Sequence, residues 1–153
     1  MRQISCEIVN MIMIKKDNMV VALDKTGSWP GITFPGGHVE KGESFKESAI
    51  REAKEETGLD VKDVYLKGII NWDNKETGER YIELLYVANG FEGVLKDGSD
   101  EGRVFWIDCE ELKHSNKLSQ NFDIYLNMFF NENYGEVHLD WDGNNWDGNP
   151  EYM

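Results

Sequence analysis

Cysteine, proline, histidine and positive charge are all scarce in this 153-residue chain, and long apolar runs are absent. Two cysteines, Cys6 and Cys109, cannot build a disulfide scaffold or a four-cysteine zinc site, and the simple reading is a pair of reduced thiols in a cytoplasmic protein. His114 and His138 have no partners at zinc-ligand spacing, so no zinc centre is expected. Apolar runs such as Met11 to Ile14 and Met19 to Leu23 fall far short of the ~20 residues that a membrane-spanning helix needs. The N-terminus carries one Arg2 and no apolar segment of signal-peptide length, so secretion is not expected either. Sixteen Lys plus Arg stand against 29 Asp plus Glu, a net charge of −13. That balance repels a long polyanion and argues against coating DNA or RNA. It leaves room for a small phosphate compound that arrives with divalent cations.

What is present is ordinary for a folded domain: 40% apolar residues and 12% aromatics, in a length that supports one hydrophobic core. Ile4–Ile14 and Met19–Leu23 read as two strands parted by Lys16-Asp17-Asn18, a hairpin signal. Trp29-Pro30-Gly31 and Phe34-Pro35-Gly36-Gly37 read as loop, continuing to about Glu43. Ser44 with Glu47 three residues on is a capping box, which predicts a helix to Thr57 closed by Gly58. Val64–Trp72, Arg80–Ala88 and Val104–Ile107 read as strands, Asp108–Lys113 as a short helix, and Ser119–Asn131 as a second main helix. Residues 1–134 are taken as one domain. Residues 135–153 are an acidic, aromatic tail of that domain, with an irregular arm expected.

The segment Gly37 to Leu59 carries the chemistry. Placed at about 100° per residue from Glu52, Phe45, Ala49 and Ala53 fall over roughly 20° to 100° and define an inward stripe. Glu52 and Glu56 lie within or beside that stripe, and Glu55 completes a carboxylate arc about 100° wide. Carboxylates crowded on the buried edge of a helix repel each other and lose hydration. Arg51 alone does not neutralise three of them, and a hard cation such as Mg²⁺ suits such an oxygen-rich cluster. A solvated glutamate face paired with lysines is the competing reading on periodicity alone.

Spacing decides between the two. The order Gly37, Glu43, Arg51, Glu52, Ala53, Glu55, Glu56, Gly58, Leu59 fills nine defined positions over 23 residues. It resembles the Nudix box, the signature of the Nudix hydrolases, most nearly in their MutT-like group. The resemblance implies an α/β fold, an α/β/α sandwich with a mixed central sheet. It also implies hydrolysis of a nucleoside di- or triphosphate linkage by water attack on phosphorus, assisted by Mg²⁺ or Mn²⁺. Glu55 and Glu56 are then metal ligands with a backbone carbonyl of Gly37 or its neighbour, and Glu52 is a ligand or a general base. Glu43 and Arg51 hold those carboxylates in place. The family often has a further acid ahead of a late strand, and Glu101 is chosen for that role as ligand or base.

Within the MutT-like group the expected substrate is an oxidised purine nucleotide such as 8-oxo-dGTP, cleaved to monophosphate and pyrophosphate. ADP-ribose-type members carry a proline about 15 residues after the box, which this chain lacks, and NADH-type members carry a zinc-binding cysteine set. A base needs an aromatic wall and amide hydrogen bonds; Phe34, Trp72 and Asn121 are candidates, and His38 is placed to touch a phosphate. Dinucleoside polyphosphates, nucleotide sugars and capped RNA ends are the alternative substrates. A non-catalytic nucleotide sensor on the same fold is disfavoured by the intact glutamates. The expected partner is thus a small nucleotide, with no nucleic-acid polymer and no membrane.

Overall fold

The computed structural model describes residues 2–141 and 146–153. A hairpin opens the chain: β1 (Cys6–Lys16) and β2 (Met19–Lys25) pair antiparallel about Asp17-Asn18. Two short strands follow, β3 (Gly31–Thr33) on β2 and β4 (Gly36–His38) on β1. These correct the loop expected for that stretch: its backbone groups find ladder partners despite the glycines and prolines. Helix α1 (Phe45–Thr57) has both hydrogen bonds of the capping box, and Gly58 ends it in the left-handed conformation at φ 79°.

β5 (Asp60–Asn74) and β6 (Arg80–Glu92) form a long antiparallel pair. β7 (Gly98–Ser99), β8 (Gly102–Asp108), α2 (Cys109–Lys113) and α3 (Phe122–Phe130) follow. The second main helix begins three residues later than predicted, because Asn121 takes a left-handed φ of 63°.

The expected irregular tail is instead a hairpin, β9 (Glu136–Trp141) and β10 (Trp146–Tyr152), with β9 parallel to β5. Val137, Leu139 and Trp141 alternate inward along β9, and their burial overrides the polar residues between them.

The sheet order is β10-β9-β5-β6-β1-β2-β8-β7, with parallel pairs at β6/β1 and β9/β5. The architecture is the mixed-sheet α/β/α sandwich. One face packs Ile12, Ile14, Leu84 and Tyr86 against Ala49 and Ala53 of α1. The other packs Met11, Met13, Leu85, Val87 and Ile70 against Phe122, Leu126 and Phe129 of α3. Among the described residues no helix is long and apolar enough to cross a membrane.

Candidate active site

The buried face of α1 starts at Ser48, so Phe45, the helix's first residue, stays exposed and outside the predicted stripe. Further along, Glu56 is buried at 6% exposure. Its Oε2 accepts the Gly36 amide at 3.2 Å. Burial pushes the Glu56 carboxyl up to about 8, with Glu52 and Glu101 adding repulsion. Glu52 sits one turn earlier against Gly37, where an added Cβ would lie 2.5 Å from its Oε1. Burial raises the Glu52 carboxyl too, against the pull of Arg51. The two carboxylates therefore bracket the Gly36-Gly37 strand, and glycine there is what permits the approach.

Arg51 organises the edge. Its Nε and Nη2 donate to both oxygens of Glu43 at 3.0 and 2.8 Å, its Nη1 to Glu52 at 2.8 Å and to Glu55 at 3.3 Å, and Nη2 also reaches the His38 carbonyl at 3.0 Å. The fork holds the Glu43 carboxyl down at about 2 and raises the guanidinium further above its ordinary value. Glu55 lies on the outer side of this fork and is 58% exposed. Among the described residues no three His, Cys, Asp or Glu groups form a finished metal cluster, since Arg51 is seated between two of the predicted ligands. The donor set still fits a hard cation. Glu56 is a buried carboxylate short of positive charge, Glu52 faces it across a glycine strand, and all donors are oxygen.

A cleft of about 670 Å³ runs from this edge across β4 onto the α3 face of the sheet. Glu52, Glu56, Glu101, Gly37, His38, Phe34 and Trp72, all candidates from the sequence, line it. Asn121 does not; its left-handed backbone presents Gln120 and Phe122 to the cleft instead. Six carboxylates, on Glu7, Glu40, Glu52, Glu56, Glu83 and Glu101, line the cleft against one lysine, Lys25, among the described residues.

Aromatic walls complete it. Trp72 and Tyr81 stack in parallel at 5.1 Å, and Phe34 meets Phe122 edge to face at 5.1 Å. Trp141 of the C-terminal hairpin lies 5.7 Å from Trp29. Trp29 holds a left-handed φ of 56°, a conformation costly for a bulky residue. Tyr81, Glu83, Tyr125, Trp29 and Trp141 are site residues that sequence reasoning missed. For Trp141 the two-residue alternation of β9 was an available signal.

A family model, the NUDIX domain, matches residues 7–128. An uncharacterised Nudix hydrolase, YvcI of Bacillus subtilis, is 31% identical over 111 residues, 69% of this chain and 68% of that protein. An ADP-ribose pyrophosphatase of Methanocaldococcus jannaschii is 32% identical over 102 residues, 65% of this chain and 60% of that protein. Other matching relatives are named for oxidised purine nucleoside triphosphates or 8-oxo-dGDP, and the match spans 54% and 30% of their respective lengths. Among solved structures, a MutT protein of Bacillus halodurans superposes with a TM-score of 0.79 at 22% identity, covering 95% of this chain and 97% of that one.

Proposed function

The chain belongs to the Nudix family, hydrolases of acid anhydrides, and from that premise we propose that it is a Mg²⁺-dependent nucleotide pyrophosphohydrolase. The preferred substrate in this reading is an oxidised purine nucleoside triphosphate such as 8-oxo-dGTP, released as monophosphate and pyrophosphate. The observation that carries it is the charge of the cleft: six carboxylates and one lysine beneath aromatic walls. Such a cleft is built for a planar ring, and it accepts a polyphosphate only in company with divalent cations.

Glu52, Glu56 and a carbonyl of the Gly36-Gly37 strand would hold the cation, with Glu55 joining if it leaves Arg51. When bound, Mg²⁺ or Mn²⁺ screens the phosphate charge and makes a water more acidic. Arg51 fixes the carboxylate rotamers through its fork on Glu43 and Glu52. Glu101, on the β7–β8 loop at the cleft, accepts the proton that the attacking water loses. His38 borders the phosphate end and Trp72 flanks the base, while Phe34, buried at 2% exposure, supports the cleft floor against Phe122 and Phe129.

Hydrolysis of ADP-ribose is the second reading, favoured by the Methanocaldococcus jannaschii relative. A product assay with Mg²⁺ separates the readings. The panel contains 8-oxo-dGTP, dGTP, dATP, ADP-ribose, a dinucleoside polyphosphate, a nucleotide sugar and a capped RNA end. Pyrophosphate and a monophosphate from 8-oxo-dGTP at the highest kcat/KM are expected. A higher value on ADP-ribose selects the second reading, and full turnover in excess chelator overturns both.

A further inference from the structure

We propose that Glu83, held by Tyr125, reads the base, accepting hydrogen bonds from the edge of a guanine-type purine that carries a ring N–H beside an exocyclic amino group. The proposal deepens the nucleotide reading above and rests on it. Glu83 is anomalous in its strand. It is 7% exposed and is followed by five buried residues, Leu84 to Ala88. It shares the α3 face with Leu85 and Val87, where a carboxylate is costly without partners. It also lines the cleft.

The Tyr125 hydroxyl donates to Glu83 Oε2 at 2.6 Å, fixing the rotamer from α3. An ionised carboxylate has about four acceptor sites, so one hydroxyl leaves most of them unfilled. Burial pushes the Glu83 carboxyl up to about 7, with only the Tyr125 bond and the more distant Lys25 acting the other way. The group is short of donors, and two adjacent N–H groups of a ligand supply them.

Position supports this. Glu83 pairs with Val9 of β1, and Val9 pairs in turn with His38 of β4. Two strand spacings, about 10 Å, separate Glu83 from the glycine strand that Glu52 and Glu56 bracket, a span that a purine ring and its sugar together bridge. Tyr81, two residues before Glu83 on the same strand and stacked on Trp72, supplies a flat wall beside it. A guanine edge offers N1–H and a 2-amino group to the carboxylate. An adenine edge offers one amino group and a ring nitrogen whose lone pair would face it, so the pair rejects adenine.

A glutamine at this position replaces one acceptor by a donor, which suits adenine better. The test measures binding of dGMP and dAMP by tryptophan fluorescence in chelator, for wild type, Glu83→Gln and Tyr125→Phe, alongside kcat/KM for dGTP and dATP in Mg²⁺. Wild type is expected to prefer dGMP. Glu83→Gln is expected to weaken dGMP by about 10- to 100-fold while dAMP holds or tightens, and Tyr125→Phe to shift the ratio the same way by less. A role confined to tying α3 to β6 would weaken both nucleotides together; that result, or equal binding of both by wild type, overturns the proposal. If dGMP preference is present and lost in Glu83→Gln but no nucleotide is hydrolysed, the pair stands and the proposed reaction falls.

Discussion

Replacing Glu56 by glutamine should stabilise the metal-free protein and cripple the enzyme. The Glu56 carboxyl is displaced from an ordinary value of 4.5 to about 8, chiefly by burial. An acid whose folded value lies above its unfolded value binds more protons in the native state, so stability falls as pH rises. For Glu56 the fall runs from about pH 4.5 and is complete above about pH 8. At ~1.4 kcal/mol per pH unit, the bare carboxylate costs up to about 5 kcal/mol at pH 9. Relaxation around the group and its coupling to Glu52 reduce the working figure to about 2–3 kcal/mol, or ~5–10 °C in Tm for a chain of this size.

Glutamine keeps the shape and the Gly36 hydrogen bond but carries no charge. In chelator at pH 9, Glu56→Gln should therefore melt ~5–10 °C above wild type, and the gap should close toward pH 5. With Mg²⁺ the order should reverse, since wild type gains the larger share of ligand stabilisation. Turnover should fall at least ~10²-fold, equivalent to ~2.7 kcal/mol of transition-state stabilisation. Differential scanning fluorimetry across pH, with and without Mg²⁺, reads both effects. A gap between the two proteins that does not change with pH in chelator, combined with equal stabilisation of both by Mg²⁺, would refute the placement of Glu56 at a metal site.

Arg51→Ala should lower Tm by about 5–10 °C, near 2–3 kcal/mol, because Glu52 is left 13% exposed without its cation. Arg51→Lys should restore little turnover, as an ammonium cannot replace the fork on Glu43; recovery to wild-type rates would contradict this. Gly37→Ala should displace the Glu52 carboxylate and cut kcat in Mg²⁺ by about tenfold or more, with circular dichroism showing an intact fold. Stripping divalent cations should abolish turnover, and adding back Mg²⁺ or Mn²⁺ should restore it; residual activity in chelator would count against the whole site.

The half of the site on α1 was legible because its logic is local. The capping box and the facing glutamates depend on three- and four-residue spacings, and the Arg51 fork reaches no further than Glu43, eight residues back, all within 23 residues. The other half was not. Tyr81 and Glu83 reach the cleft because β6 lies parallel to β1, a pairing between segments some seventy residues apart that no short window shows. Trp141 arrives by the parallel docking of β9 on β5. Asn121 stands as the left-handed N-cap of α3 and is not among the residues that line the cleft, whereas its neighbours Gln120 and Phe122 are.

The division has a consequence for what the motif can specify. The carboxylates that bracket the glycine strand belong to α1, where the proposed reaction places the phosphate end. Those proposed to enclose the ring line the cleft from β5, β6, α3 and the C-terminal hairpin. Between the two sets lies β4, paired so closely to β1 that an added Cβ at Gly36 would run into the backbone of Asn10 and Met11. Substitutions at Tyr81, Glu83 or Tyr125 therefore alter the surface offered to the base while leaving the Arg51 fork and the Glu52–Glu56 edge in place. In the proposed reading, reaction class rests on one helix and one strand of glycines, and base preference on side chains from across the sheet. A chain can keep the first intact while the second changes, so in that reading substitutions on the α3 face are the ones that test base preference.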